Sequence, residues 1–388
     1  MRVDVTAMIK PVMVHSTRSA VTLLLAIFAI VLANARAFAA SAAPALAKAK
    51  QEAEAKGYAF VANHDEIVAK ARGEGKLRAL FGLDAVAIKA LVGAFTKKYP
   101  FLETYVEEIE GTESYQRFIL EMKSGRSTTW DATFIPIDFY KEYLPFQKKF
   151  DILGMASQGV LAINPKMVDP FNRNTLSSTS IIQVVAYNKN LIPPDKAPAK
   201  WEDLLKPEFK GKKFIADIRP HMVAALVPGW GLEKVLDYCR RLAAQDPVWV
   251  RGATRLLNAM IAGEYALMIA PNLNSVKRAQ EKDKSGVLAY KVVEPVPTRM
   301  VPRADGVLAG AEHPHAALLW LEFQASPEAQ KIMDEYGPTT ASLLTPGSFI
   351  EQETRGKQLS VVDWNHAQRL EEYSGEMVKA YGFPKAEK

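Results

Sequence analysis

The sequence predicts an α/β protein of two lobes with a cleft between them. Its 388 residues are too many for one compact core, and 48% of them are hydrophobic. Predicted strands and helices alternate in two separate stretches of the chain. Extended, proline-containing segments join these stretches, as expected where two α/β units are connected. A charged fraction of 24% is ordinary for a folded globular protein.

The first α/β unit begins with a predicted strand at Lys76–Phe81. Gly82 turns the chain, Asp84 can cap the following helix, and Pro100 ends that helix. A strand at 104–109, a helix that ends near Gly125 and a strand at 131–135 follow. This alternation predicts a parallel sheet with helices on its faces, and ligands of such sheets lie at the carboxyl ends of the strands.

The second unit repeats this order, and the chain then returns towards the first. We predict strands at 181–188, 213–218 and 265–270 and a helix at 233–244. The return path runs through the proline-rich segment 294–298 into 301–310. Pro314 and Pro327 each fit the first position of a helix, with Ser326 as a cap. The segment 361–381 is predicted to form a last long helix.

The first 39 residues have the three parts of a secretory signal. Basic residues precede an apolar run at 21–33, and Ala37-Phe38-Ala39 fits the pattern for cleavage. The run is shorter than the roughly 20 residues that a membrane-spanning helix needs. Removal of residues 1–39 takes away four basic residues and one acidic residue, so the net charge falls from +6 to +3. So small a charge argues against nucleic acid as a partner.

The chain has one cysteine, Cys239, so no intrachain disulfide can form. Cys239 belongs to an apolar stripe at helical spacing. The pattern predicts a buried small side chain and not a catalytic thiol.

Several segments together resemble the periplasmic binding proteins of type 2 fold, in the branch that includes the ferric-iron-binding proteins. Val185–Asn188 is similar to that family's crossing segment into the second domain. The run 198–212 contains the similar motifs Trp-Glu-Asp-Leu-Leu and Lys-Gly-Lys. The Gly-Glu turn in 262–266 and the paired helix starts in 313–317 and 326–330 also match. These motifs span about residue 75 to residue 340 in the order of the family.

The resemblance implies a two-lobed fold of two mixed sheets flanked by helices, with a ligand cleft between the lobes. We expect a signal peptide at 1–39, a linker or loose helix at 40–72, a first lobe of 73–182 and 298–388, and a second lobe of 183–297. It also implies an exported substrate-binding protein of an ABC-type importer. Such a protein captures a small solute, delivers it to an inner-membrane permease, uses no cofactor and acts as a periplasmic monomer.

The resemblance raises Fe(III) as an alternative solute. Ferric-binding relatives usually hold iron with adjacent tyrosines late in the chain, and phenolates suit this hard ion. The corresponding region here is 335–340, which has only Tyr336. No His or Cys pair shows the spacing of a zinc site. We therefore expect a small organic anion and no metal.

Candidate ligand-binding residues follow predicted strands or begin helices. Thr112 and Ser114 follow Gly111, where backbone N–H groups could bind an anion, although either side chain could simply cap the helix. Arg219 and His221 follow a strand of the second unit, and the arginine could bind a carboxylate or form an exposed salt bridge.

Four further candidates have an equally plain structural alternative. Asn272 follows the strand at 265–270 and could stabilise a turn instead. Arg299 lies on the return path between the lobes, and it could be solvated at the surface instead of binding ligand. Trp130 and Tyr336 could form apolar walls of a site or pack in the core.

Two other functions remain open. An enzyme could use the same fold, but the chain lacks a G-x-S-x-G elbow, a Walker loop, a zinc helix and a dinucleotide fingerprint. We therefore expect no catalytic residues. A sensor that presents its ligand to a membrane receptor has no sequence feature to separate it from a transport protein.

Overall fold

The computed structural model describes residues 44–125, 129–211, 214–217, 220–250, 252–337 and 339–382. The predicted signal sequence 1–39 and the candidate Arg219 lie outside these ranges. Within them the chain forms the following strands: β1 (Lys76–Phe81), β2 (Glu103–Glu108), β3 (Ala132–Pro136), β4 (Thr175–Leu176), β5 (Ile181–Ile182), β6 (Val185–Asn188), β7 (Phe214–Asp217), β8 (Val248–Val250), β9 (Leu267–Met268), β10 (Leu288–Lys291), β11 (Val296–Arg299), β12 (Arg303–Val307) and β13 (Leu359–Val362).

Helices surround these strands. They are α1 (44–55), α2 (His64–Glu74), α3 (Ala85–Lys98), α4 (Thr112–Lys123), α5 (Tyr140–Tyr143), α6 (Ile152–Ser157), α7 (His221–Ala224), α8 (Val227–Trp230), α9 (Leu232–Ala243), α10 (Ala253–Ile261), α11 (Leu273–Lys282), α12 (Pro314–Ala325), α13 (Pro327–Tyr336), α14 (Phe349–Thr354) and α15 (Trp364–Tyr381). No helix within the described ranges is long and apolar enough to cross a membrane.

The first lobe is built on a mixed sheet in the order β2-β1-β3-β12-β4. β1 pairs in parallel with β2 and β3, whereas the returning strand β12 is antiparallel to β3 and β4. Asp84 caps α3 as predicted, because its carboxylate accepts a hydrogen bond from the amide of Ala87 at 3.0 Å. Burial of Ile88, Leu91 and Phe95 holds α3 against the sheet.

The segment expected to be a linker or loose helix is ordered against the first lobe. Leu46, Ala49 and Ala53 of α1 pack on the core of this lobe. The next helix, α2, is tied to α12 by the contacts of His64 with Glu322 at 2.8 Å and of Glu74 with His315 at 2.6 Å. Apolar faces on these helices pack against the first lobe, so residues 44–72 are more than a connection.

The second lobe has its own mixed sheet, in the order β10-β6-β9-β7-β8. β7 is parallel to β8 and β9, and β6 is antiparallel to β9 and β10. Cys239 of α9 is fully buried, as predicted, and burial raises the pKa of its thiol to about 12. A thiol with so high a pKa is protonated at neutral pH and is not a nucleophile.

Two segments differ from the prediction. The predicted strand 181–188 is two strands: β5 belongs to a third sheet of order β13-β11-β5, and β6 belongs to the second lobe. The apolar run could not reveal this division, because both strands are largely buried and neither alternates. The predicted helix 361–381 begins later, at Trp364, after β13, and Asp363 caps it through the amide of His366.

The last helix also lies elsewhere than expected. We predicted that all of 298–388 belongs to the first lobe, but α15 packs on α7 and α9 of the second lobe. Its buried residues Leu370, Tyr373 and Met377 join the same apolar cluster as Cys239. The reason is that α9 presents a broad apolar stripe that one sheet cannot cover, and α15 closes it.

Candidate functional site

A cavity of about 290 Å³ lies where the two lobes meet. Its first wall consists of residues that follow β1, β2 and β3, at the carboxyl ends of strands of the first sheet. Its second wall is the start of α11 from the second lobe. The crossing segments β5 and β11–β12 form its floor. The cavity is therefore the inter-lobe cleft that the sequence predicts.

Two arginines lie at the floor of the cleft. They stand at the two ends of the segment 299–303, in which the chain passes from β11 to β12. Arg299 is the last residue of β11 and Arg303 is the first residue of β12. They are 6% and 7% exposed, and burial lowers the pKa of both guanidinium groups. Solvation at the surface, which was the alternative to ligand binding for Arg299, is therefore wrong, because both crossings run through the interior of the protein.

The surroundings of Arg303 are mostly aromatic. Its guanidinium carbon lies 4.7 Å and 5.0 Å from the ring centroids of Phe81 and Phe134. One terminal nitrogen donates to the carbonyl of Gly82 at 3.5 Å, a long hydrogen bond. The nearest carboxylate, that of Asp305, is 3.9 Å from Nε. Arg303 is therefore held in position without being fully hydrogen-bonded.

Several donors at the floor lack acceptors. Among the described residues, Nε of Arg299 and both Nε and Nη2 of Arg303 are buried without a hydrogen-bond partner. A buried guanidinium without acceptors is costly, and its planar fork matches a carboxylate or phosphate. The floor of the cleft is therefore suited to bind an anionic group.

The walls carry other polar groups. Asn274 and Arg278 project from α11 on one side, and Asp84, Glu108 and Glu110 lie on the other. The Tyr115 hydroxyl also lines the cleft, and it donates to the carbonyl of Ile109 at 3.1 Å. Burial raises the pKa of Tyr115 to about 12.

Hydroxyl groups of the crossing segment complete the cleft. Thr179 and Ser180 precede β5, and Thr340 lies near them after α13. The Ser180 hydroxyl accepts from the amide of Leu343, and that of Thr340 donates to the carbonyl of Gly337 at 2.8 Å. These bonds fix the chain at the floor, where the two lobes are joined.

The structure brings one of the predicted site residues directly into this cleft, namely Arg299. Asn272 occupies the N-cap position of α11, two residues before the lining residue Asn274, but its side chain makes no capping hydrogen bond. His221 begins α7, and Arg219 is outside the described residues. Tyr336 ends α13, is 42% exposed and does not line the cleft.

Two of the remaining candidates line a second hollow on the first lobe, which shares Glu108 and Glu110 with the cleft. Ser114 and Trp130 line it, and Trp130 stacks on Tyr105 with the guanidinium of Arg78 over its ring at 5.2 Å. Thr112 is exposed at the start of α4, which follows Gly111 without a side-chain cap. These residues belong to the outer surface of the first lobe.

A larger hollow of about 610 Å³ lies between the segment 137–144 and α15. Its lining is mainly apolar, with Leu144, Phe171 and Trp364 as examples. It contains none of the unpaired buried guanidinium donors that distinguish the cleft floor. The cleft is therefore the better candidate for a solute site, although it is the smaller cavity.

Several residues that line the cleft were not among the predicted candidates, although their positions in the sequence could have indicated them. Asp84 and Glu108 stand at the carboxyl ends of adjacent parallel strands, where ligands of α/β sheets bind. Arg278 lies one helical turn after Asn274, so both face the same side of α11. Arg303 carries no such signal, because its burial depends on β12 lying beside β3.

No three His, Cys, Asp or Glu side chains in the described part of the chain are grouped as a metal site.

Comparison with known proteins places these features in context. Residues 146–369 match the model of a family described as bacterial extracellular solute-binding proteins. None of the curated protein sequences matches the chain.

Solved structures resemble the fold over most of the chain. A Trichodesmium protein, IdiA or FutA in complex with iron and citrate, is 18% identical, with a TM-score of 0.62 over 79% of this chain and 99% of that one. The Mannheimia haemolytica ferric iron-binding protein A in an open conformation is 17% identical, with a TM-score of 0.63 over 80% and 100%. The substrate-binding protein of an ABC transporter from Agrobacterium tumefaciens is 15% identical, with a TM-score of 0.55 over 78% and 95%.

Proposed function

This chain belongs to the family of bacterial extracellular solute-binding proteins, and we propose that its cleft captures a small anionic organic solute for an ABC importer. It has the two-lobed type 2 periplasmic binding protein fold, as its sequence motifs predicted. In this proposal the loaded protein delivers its solute to a permease in the inner membrane. Residues 1–39 direct export to the periplasm as a cleaved signal, and the mature protein acts as a monomer.

The observation that carries the proposal is the pair of buried arginines at the cleft floor. Arg299 and Arg303 have unpaired buried N–H groups within one cavity, and an anion would supply the missing acceptors. The net charge of about +3 after signal removal does not oppose an anionic solute.

Binding is coupled to the arrangement of the lobes. Asn274 and Arg278 come from the second lobe, whereas Asp84 and Glu108 come from the first. A solute that contacts both walls binds the closed arrangement of the lobes more tightly than the open one. This difference in affinity stabilises the closed arrangement. The crossing strands β5 and β11 are the natural hinge, because they connect the lobes and pair with each other.

Fe(III) is the second candidate solute. The Trichodesmium and Mannheimia structures are of iron-binding proteins, and the cleft offers the oxygen atoms of Asp84, Glu108, Glu110 and Tyr115. Two observations place this solute second. Grouped metal ligands are absent from the described residues, and a pKa of about 12 disfavours the phenolate of Tyr115.

A thermal-shift screen of the mature protein, starting at about Ser41, tests the proposal. The panel contains carboxylates, phosphates, amines, sugars and Fe(III). A ligand at 100 times its Kd stabilises the native state by about 2.7 kcal/mol, which raises Tm measurably. We expect a saturable shift with one class of anion, lost in Arg303→Gln and kept in the control Arg241→Gln, whose side chain is exposed on α9.

Other outcomes separate the alternatives. A shift with Fe(III) alone would replace the anion by iron, and conversion of a bound anion to product would indicate an enzyme. Absence of any saturable shift across the panel would overturn the proposed solute class. Transport and sensing are separated by reconstitution, because only a transport protein stimulates uptake through its permease into proteoliposomes.

A further inference from the structure

The mouth of the cleft has the opposite charge from its floor. Glu108 and Glu110 are exposed at the end of β2, and Asp84 lies beside them at the start of α3. Burial raises the pKa of the Glu108 carboxyl, and repulsion from Glu110 and Asp84 raises it further. Glu108 therefore lies within the electrostatic field of the other two carboxylates.

Among the described residues, no basic side chain fully neutralises this acidic group. Arg278 of α11 lowers the pKa of Glu108 electrostatically, so it faces the group from the other lobe. Within the described part of the chain, Glu108 and Glu110 nevertheless form no ion pair at 4.0 Å or less. The mouth thus retains unpaired negative charge in the same cavity whose floor retains unpaired guanidinium donors.

A solute with only negative charge would satisfy one end of this cavity and be repelled at the other. A solute with only positive charge would meet the two buried arginines. A molecule with an acid group at one end and an ammonium group at the other satisfies both, because each end meets the opposite charge.

The volume limits the size of such a molecule. The cleft has a volume of about 290 Å³. This is the lower end of the range of ligand sites, so a short chain between the two charges fits better than a large scaffold.

We propose that the solute of this protein is a small zwitterion, whose carboxylate or phosphonate binds Arg299 and Arg303 while its ammonium group binds Glu108 and Glu110. This inference rests on the proposed function and narrows its substrate class. In this inference the two arginines bind the acid group of the solute. The two glutamates make the protein prefer amino acids to simple acids.

Calorimetric titration with matched ligand pairs tests the inference. 4-Aminobutyrate is compared with butyrate, and 3-aminopropylphosphonate with propylphosphonate, so each pair differs only in the amine. We expect the amino compound to bind at least about tenfold more tightly in one pair, the effect of one charge-assisted hydrogen bond. The double variant Glu108→Gln/Glu110→Gln should lose this advantage while its affinity for the plain acid stays the same or rises.

Glu107→Gln is the matched control. Glu107 immediately precedes Glu108 in sequence but does not line the cleft, and it accepts a hydrogen bond from the Tyr105 hydroxyl. This variant should keep the preference for the amine. Because all three glutamates are exposed, the variants should fold, and unchanged Tm values without ligand verify this.

The outcomes distinguish this inference from the proposed function. Equal affinities within each pair would overturn the zwitterion and leave an anion-binding protein. A preference for the amine that survives Glu108→Gln/Glu110→Gln would overturn the role of the two glutamates. Absence of binding in both pairs overturns the zwitterion, and the broader screen then decides whether anion binding fails too.

Discussion

Nε of Arg303 lies 3.9 Å from Oδ2 of Asp305, and both side chains are almost completely buried two residues apart on β12. The distance is too long for a hydrogen bond, and the other oxygen of Asp305 is buried without a partner among the described residues. The carboxylate therefore offsets the charge of the arginine only in part. This leaves the guanidinium able to bind a solute at the cleft floor.

Asp305 should make the stability of the protein depend on pH. Burial raises the pKa of its carboxyl to about 6, although Arg303 and Ser178 lower it. Because this value is above the ordinary 3.8, the folded protein binds the proton more tightly than the unfolded chain does. The contribution of Asp305 to the free energy of unfolding is therefore most favourable below about pH 4. It declines by on the order of 3 kcal/mol as pH rises to about 6. In Asp305→Asn this decline should be absent from urea unfolding curves between pH 4 and 7.

Asp283→Asn is the control of opposite sign. Burial raises the pKa of Asp283, but hydrogen bonds from Ser285 and from backbone amides outweigh this and lower it. Asp283 therefore contributes stability above the ordinary carboxyl pKa, and its loss should matter more at pH 7 than at pH 3. Parallel pH profiles for the wild type and Asp305→Asn would show that Asp305 does not titrate as described.

Arg299→Met should stabilise the free protein while it weakens solute binding. Removal of a buried, incompletely paired charge in favour of an apolar side chain of similar volume is often stabilising by about 1–4 kcal/mol. The same change deletes a donor for the anionic group. We expect a higher Tm without ligand and an affinity at least about tenfold lower, measured by thermal unfolding and calorimetry.

Arg241→Met provides the comparison, because Arg241 is exposed on α9 and is remote from the cleft lining. This variant should change neither the Tm without ligand nor the affinity for the solute much. A variant Arg299→Met that binds as tightly as the wild type would remove Arg299 from the site.

Met377→Ala should measure how much α15 contributes to the second lobe. Met377 is fully buried in the cluster that α15 shares with α9. Its truncation leaves a cavity and should cost about 2–5 kcal/mol in the free energy of unfolding. The adjacent Val378 is 40% exposed, so Val378→Ala should cost about 0.5 kcal/mol or less. Similar losses from the two variants in urea unfolding would contradict the packing of α15 described above.

Gly82→Ala should disturb the cleft through a steric conflict. A Cβ atom at this position would lie 2.0 Å from the ring of Phe134, which packs against Arg303. The ring cannot move without displacing the arginine, so we expect a loss of about 1–3 kcal/mol and weaker solute binding.

Gly93→Ala is the matched glycine substitution in the neighbouring helix. A Cβ atom there meets no heavy atom within 4 Å, and Gly93 lies inside α3. This change should stabilise the protein by about 0.5–1 kcal/mol, because alanine loses less conformational entropy in a helix. If both variants behave alike in chemical denaturation, the close approach of Gly82 to Phe134 is wrong.

Local signals in the sequence determined many of the elements. The cap at Asp84, the paired positions Ser326 and Pro327, and the apolar stripe around Cys239 each act within a few residues of chain, so they can be read without tertiary contacts. The motifs of 198–212 and 262–266 likewise predicted the family and the fold, which the comparisons confirm.

The tertiary structure alone decided which charged residues line the cleft. Arg299 was a candidate from its position on the return path, but nothing near Arg299 or Arg303 in sequence indicates that their side chains are buried. They become the cleft floor only when β12 pairs with β3 and β11 pairs with β5, across separations of more than a hundred residues. The break of 181–188 into two strands and the placement of α15 on α9 have the same origin. Burial and charge pairing depend on which distant segments meet, and periodicity within one segment carries no information about that choice.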